Sequence, residues 1–225
     1  MKVSIIIPTY NSALTLERSI ESALNQDFPK DEFEVIVIND GSTDNTLEIL
    51  KKYGEKIRVI NQANQGALRA SNNGFRAALG EYVIKLDSDD KFEKDILKEM
   101  ALVLDKNPGI DFVYCDYYET KTNGETFLVS CCANIFNTIG IGIMFRKQKF
   151  QEQGFFNAKT MFAEYDLLLK TQDIWKGYCI EKPLFYYLRR GESITGKQGW
   201  IEKAILQLKE LYPKDIAKIE KIRPY

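Results

Sequence analysis

Val3-Ser4-Ile5-Ile6-Ile7-Pro8 is a short, continuous apolar run without the polar alternation of a strand that has one wet face. Such a run suits a strand buried on both sides, the kind found in parallel sheets. A helix is expected from about Ala13 to Gln26, with Leu16, Ile20, Ala23 and Leu24 on one side and Asn11 or Ser12 as its cap. Phe33 to Asn39 repeats the strand. Leu47, Ile49, Leu50 and Tyr53 repeat the helix, started around Ser42 to Asp44 and stopped by Gly54. Strands at Ile57–Asn61 and Tyr82–Leu86 flank a third helix that carries Leu68, Ser71, Phe75 and Ala78 and ends at Gly80. Strands alternating with helices through short loops imply right-handed crossovers and a parallel sheet. The expected fold class is α/β, a Rossmann-like, mostly parallel sheet with flanking helices.

The second half has a different character. Glu93 to Leu104 and Glu164 to Thr171 read as helices, while Phe112–Tyr118, Thr126–Cys131, Ile141–Arg146 and Tyr178–Arg189 read as extended segments with longer connections. Trp200–Leu211 and Asp215–Ile222 are short amphipathic helices parted by Pro213. Without repeats or linkers, residues 1–225 are expected to form one domain: a half over 1–90, a mixed half over 91–199, and terminal helices over 200–225.

Composition excludes several functions. The chain has 225 residues, 44% hydrophobic and 28% charged, as in ordinary globular proteins. Lys plus Arg number 31 against 32 Asp plus Glu, so no field of one sign steers a nucleic acid. No apolar stretch reaches the roughly 18–20 residues that cross a bilayer, and no cleavable leader is evident, so a cytoplasmic location is expected. Cys115, Cys131, Cys132 and Cys179 lack C-x-x-C spacing and read as reduced, packed residues. Histidine is absent, which removes Ser-His-Asp and Cys-His catalysis and His-based zinc sites. A general acid or base must then be carboxylate, Lys, Tyr or Cys.

Ligands of α/β sheets bind at the carboxyl ends of the strands, so residues there share one site. After the first strand stand Pro8, Thr9, Tyr10 and Asn11, able to stack on and hydrogen-bond a planar base. After the second stands Asp40, a carboxylate before Gly41 suited to a base N–H or a ribose hydroxyl, with Asp44 expected to cap the next helix. After the third, Gly66 opens a helix bearing Arg69, Asn72 and Asn73, a start that suits phosphate. After the fourth comes Asp87-Ser88-Asp89-Asp90, three carboxylates in four residues. Their mutual repulsion calls for a cation, and oxygen ligands select Mg²⁺ or Mn²⁺. Asp-rich segments also form turns and cap helices, so the company of the other strand ends decides the reading.

Val3 to Asn11, Val35 to Asp44, Asn64-Gln65-Gly66 and Leu86 to Asp90 together resemble the signature blocks of family-2 glycosyltransferases, densely over residues 1–90. The resemblance implies the A-type glycosyltransferase fold and a nucleotide-diphospho-sugar donor, UDP-linked by family habit. It implies that Thr9 and Asp40 contact the nucleoside, that Asp87 lies near the ribose or metal, that Ser88 lines the donor site, and that Asp89 is the main ligand of Mn²⁺ or Mg²⁺. The sequence departs from the family at Ser71, where relatives often carry Arg; Arg69 is the available substitute.

Inverting transfer needs a carboxylate to deprotonate the acceptor hydroxyl. Relatives usually show Glu-Asp, one residue, then Asp-Leu; aligned on Asp166-Leu167, the base position holds Glu164, with Asp166 in support and Ala163 in the preceding acidic position. These acids could equally start a helix at its positive end. Asn134 to Gly142 is expected to border the acceptor, a glycan or lipid-linked glycan. Arg190 stands where relatives often have His, so a metal contact is lost there; Arg189 or Arg190 could clamp the diphosphate or face solvent. Gln198-Gly199-Trp200 lacks the fuller motif of processive synthases, which favours adding one sugar. The stripe Trp200, Ile201, Ile205 and Leu208 could dock on a membrane surface, but such stripes more often pack on their own domain. A non-catalytic nucleotide-sugar-binding module is the alternative, then a sugar-phosphate nucleotidyltransferase, which lacks its Gly-rich loop here; a dehydrogenase lacks G-x-G-x-x-G.

Overall fold

The computed structural model describes residues 1–121, 123–189 and 199–222; Arg190 and Gln198 lie outside them. Strand β1 (Val3–Thr9) is buried along its whole length. Helix α1 (Leu16–Leu24), β2 (Phe33–Asn39), α2 (Thr46–Lys51), β3 (Arg58–Asn61), α3 (Ala67–Ala77) and β4 (Tyr82–Lys85) follow in alternation. Strand β1 pairs in parallel with β2 and with β4, and β2 pairs in parallel with β3.

The second half contributes β5 (Lys91–Phe92), α4 (Ile96–Lys106), β6 (Phe112–Thr120), β7 (Thr126–Val129), β8 (Met144–Arg146), α5 (Lys147–Glu152), α6 (Ala163–Thr171), β9 (Gly177–Leu188), α7 (Trp200–Leu211) and α8 (Ile216–Ile219). The strand order is β3-β2-β1-β4-β8-β6-β9-β5, with β7 on β6. Strand β8 runs antiparallel to β4 and β6, joining the parallel half to a mixed half. This is the expected α/β class. The two-residue β5 and helix α5 were not expected; both are too short to leave a periodic signature.

The period of two divides the strand side chains between two cores. Val3, Ile5, Ile7, Val35 and Val37 face α1 and α4, where Leu16, Ile20, Met100 and Leu104 are buried. Ile6, Ile36, Ile38 and Val83 face α3 and α6, where Phe75, Tyr165 and Leu169 are buried. Ser4 interrupts this pattern for a reason: its hydroxyl donates to Glu34 Oε1 (2.6 Å) and accepts from the Gly80 N–H (2.8 Å), fixing the turn into β4.

Two expectations are corrected. Neither Asn11 nor Ser12 caps α1 through its side chain; Thr15 holds the N-cap position, and the Ser12 carbonyl accepts from the Thr15 and Leu16 N–H groups. Cys132 and Cys179 are not reduced neighbours but form a disulfide, their Cα atoms 5.4 Å apart across a sequence separation of 47 that spacing rules do not detect. Cys115 and Cys131 are buried outside that bond. The stripe on α7 is settled for packing: Ala204 and Leu208 are buried, and Trp200, Ile201 and Ile205 pack on the core beside α6. Among the described residues, no helix is long and apolar enough to cross a membrane.

Gly74 sits inside α3, where glycine ordinarily weakens a helix. A Cβ there would meet Ile6 Cγ2 at 2.4 Å and Ile38 Cγ1 at 3.1 Å, so the absent side chain lets α3 lie close on β1 and β2. Gly74→Val is therefore expected to cost about 1–3 kcal/mol through overpacking. Urea unfolding checks this, and an unchanged midpoint would refute the close approach.

Candidate active site

Parallel register sets Thr9 opposite Asn39 and Ile6 opposite Lys85, so the segments leaving β1, β2 and β4 emerge side by side. Asn11 takes the left-handed conformation (φ +49°). From there its N–H donates to Ser42 Oγ (3.0 Å), while its Oδ1 accepts from the Thr43 N–H (2.8 Å). The Ser12 N–H reaches Thr46 Oγ1 (3.0 Å) and the Ala13 N–H reaches Asp44 Oδ2 (3.1 Å). These bonds join the loop after β1 to the loop after β2. Asp44 thus serves the junction as well as the start of α2, where its Oδ1 accepts from the Thr46 N–H (3.0 Å). Pro8 is buried within β1, Tyr10 is 49% exposed, and Thr9 Oγ1 is buried without a hydrogen-bond partner among the described residues.

Asp40 is buried and organises the entry to α3. Its Oδ1 accepts from Gln62 Nε2 (2.7 Å) and the Gln65 N–H (2.9 Å), and its Oδ2 accepts from the Gly66 N–H (2.8 Å). Gly66 has φ +89°, which favours glycine, and Arg69 stands exposed one turn on.

The aspartate turn is held from three sides. The Asp90 N–H donates to the Asp87 carbonyl (3.1 Å), Ser19 Oγ donates to the Asp90 carbonyl (2.7 Å), and Arg18 donates to the Asp89 carbonyl. Asp90 Oδ1 accepts from the Leu188 N–H (2.8 Å) on β9, whereas Oδ2 is buried with no hydrogen-bond partner among the described residues. Burial, together with the Asp89 and Asp87 charges, pushes the Asp90 carboxyl well above its ordinary value.

Lys85, the last residue of β4, was not foreseen as part of the site. Its Nζ lies 3.0 Å from Asp87 Oδ1 and 3.1 Å from Oδ2, on a side chain 12% exposed. Burial acts to lower its pKa, but the Asp87, Glu164 and Asp90 carboxylates prevail and hold it above the usual lysine value. The available signal was alternation: Lys85 shares the face of Val83, hence of α6, and a lysine in so apolar a strand needs a carboxylate partner.

Lys85 and Asp87 open into a cavity of about 440 Å³, bordered by Gly66 and Arg69, by Ile139, Gly140 and Ile141, and by Glu164, Tyr187 and Trp200. Glu164 is the second residue of α6. Burial raises its pKa, its own N–H and Lys85 oppose the rise, and Asp87 adds to it. A Cβ on Gly140 would come within 3.4 Å of Lys85 Nζ and 3.6 Å of Glu164 Oε2, so that glycine leaves room for both groups.

Four residues expected in the site serve elsewhere. Asn72 commits both ends of its amide to Phe156, donating to its carbonyl (2.7 Å) and accepting from its N–H (3.2 Å). Ser88 Oγ is bound to Ser12 Oγ (2.8 Å). Asp166 Oδ1 accepts from the Tyr212 hydroxyl (2.8 Å), which locks α6 to the residue after α7 and turns the carboxylate from the cavity. Arg189 directs Nε at buried Glu119 (2.9 Å) on β6 and does not line the cavity. Glu119 is buried and Arg189 half-buried, so removing the cation would leave a buried carboxylate without its ion-pair partner.

The oxygen donors of Asp87 and Asp89 suit a hard divalent cation. The ammonium seated on Asp87 marks this corner as one that draws positive charge.

Residues 4–163 match the model described as Glycosyl transferase family 2. The chain belongs to that family. It is 40% identical over 111 residues to the poly(ribitol-phosphate) beta-N-acetylglucosaminyltransferase TarS of Staphylococcus aureus, covering 48% of this chain and 19% of TarS. It is 32% identical over 219 residues to the hyaluronan synthase of Pasteurella multocida, covering 89% of this chain and 22% of the synthase. The chain thus spans about a fifth of the length of these curated relatives. The crystal structure of S. aureus TarS 1-349 in complex with UDP-GlcNAc superposes with a TM-score of 0.75 at 28% identity, over 99% of this chain and 70% of that one. It shares this chain's A-type glycosyltransferase fold. The mannosyltransferase PcManGT of Pyrobaculum calidifontis, at 20% identity and a TM-score of 0.68 over 100% of this chain and 66% of that one, shares the fold.

Replacing Asp40 with Asn removes the charge that orders the Gln65 and Gly66 N–H groups. Asp40→Asn is expected to cost about 1–3 kcal/mol, and hydrogen exchange at these two amides should accelerate; unchanged protection would contradict the assignment. Asp90 gives a pH dependence of known sign. Its folded pKa exceeds its unfolded one, so between them the unfolded state holds fewer protons and stability falls as pH rises. In metal-free buffer the melting temperature should decline as pH rises above the ordinary carboxylate range, and Asp90→Asn should flatten that decline. Parallel slopes for the two proteins would count against a buried, protonated Asp90.

Proposed function

We propose that this chain catalyses inverting, metal-dependent transfer of one sugar from a nucleotide-diphospho sugar, UDP-linked, to a hydroxyl of a glycan or lipid-linked glycan. Residues 1–90 receive the donor and residues 91–199 the acceptor. The observation that carries this reading is that Asp87, Glu164 and Arg69 line one cavity although they come from three separate segments. Family membership and the likeness to TarS, whose structure holds UDP-GlcNAc, support it.

In this reading Thr9 and Asp40 meet the nucleoside, with Pro8, Tyr10 and Asn11 around it, and Gly66 and Arg69 meet the diphosphate. Asp89 and Asp87 would hold Mn²⁺ or Mg²⁺, which supplies positive charge for the departing nucleoside diphosphate. Glu164 takes the proton from the acceptor hydroxyl as that oxygen bonds to the anomeric carbon and the bond to the diphosphate oxygen breaks. A raised pKa makes Glu164 a stronger base than an exposed carboxylate. One base on the acceptor side gives direct displacement and hence inversion.

Thermal-shift measurements with UDP-, GDP- and dTDP-sugars, with and without Mn²⁺, identify the donor, since a ligand of the native state raises apparent stability. Glu164→Gln is expected to lower kcat by about 10²–10⁴-fold while leaving donor affinity intact. NMR of the product from an α-linked donor should show a β linkage. An α product would overturn inversion, and donor binding without turnover on any acceptor would make the chain a binding module.

A further inference from the structure

Lys85 carries a consequence for how the cation enters. We propose that Lys85 is a built-in counter-cation, seated on Asp87 until donor and divalent cation arrive together, so that cation binding depends on the nucleotide. This rests on the function proposed above and deepens it.

The Lys85 ammonium meets both carboxylate oxygens of Asp87, at 3.0 and 3.1 Å, and so covers the face a metal would use. Its side chain leaves the end of an interior strand and is 12% exposed, so the ammonium rests against the carboxylates that border the cavity. A divalent ion approaching Asp87 and Asp89 without a nucleotide must therefore displace this cation or bind beside it, and like charges at that range repel strongly in a partly dry site. A nucleoside diphosphate changes the balance by bringing its own negative oxygens. Lys85 then has somewhere to go: Glu164 faces the same cavity, and the Gly140 backbone approaches both groups. A merely structural ion pair would make Lys85 matter for stability and leave cation affinity alone.

The test follows free Mn²⁺ by its electron paramagnetic resonance signal on the full chain, with and without UDP. Wild type should bind Mn²⁺ weakly alone and more tightly with UDP. Lys85→Met and Lys85→Gln, which delete the charge, should bind Mn²⁺ without nucleotide about tenfold more tightly, and the gain from UDP should shrink by a similar factor. Lys85→Arg keeps the charge and should behave as wild type. If neither neutral variant gains affinity while wild type keeps its UDP-dependent binding, this proposal falls alone. If wild type takes up no Mn²⁺ even with UDP, the metal-dependent reading falls and this proposal with it.

Discussion

Lys85 Nζ sits among the carboxyl groups of Asp87, Asp90 and Glu164 at the end of an interior strand. Charges so arranged cannot be left to chance, because each is costly to bury without a partner. The surrounding structure is arranged to keep them in place. Arg18 and Ser19 hold the carbonyls of the aspartate turn, Leu188 donates to Asp90, and Ser88 is tied back to Ser12. Helix α1, strand β9 and the loop after β1 thus converge on four residues. Rigidity here places negative charge at a fixed point of the cavity wall.

The first half of the fold was legible because its strands are buried on both faces. Strand β2 runs from Phe33 to Asn39, the bounds its apolar run suggests, and β1 and β4 differ from expectation by one residue at the end. The second half resisted reading where elements are short or edge-paired. Strand β5 is two residues whose extended form comes from pairing with β9, a tertiary cause that no local pattern records.

The candidate site was legible in part: of the carboxylates expected there, Asp87 and Glu164 line the cavity, whereas Asp89 and Asp166 do not. Asp87, Glu164, Gly66 and Arg69 meet at the cavity. Asn72 and Asp166 carry groups equally suited to a ligand, yet Phe156 and Tyr212 claim them. Sequence shows that a residue can hydrogen-bond but not which partner reaches it first. Lys85 was missed for the opposite reason: inside an apolar run it reads as an irregularity of the strand, and its meaning appears once α6 is packed on that face.

The disulfide between Cys132 and Cys179 bears on how the cavity wall can change. The segment from Cys132 to Gly142 is stapled to β9 at its beginning, and at its end Gly142 fits so closely on Phe185 that an added Cβ would come within 2.2 Å of the ring. Both anchors grip the same strand. The stretch between them behaves as a panel in a fixed frame: side chains at Ile139 or Ile141 can be exchanged to reshape the opening, while the frame keeps the panel's distance from Lys85 and Glu164. Diversification of what enters the cavity can then proceed by substitution without disturbing the groups at its base.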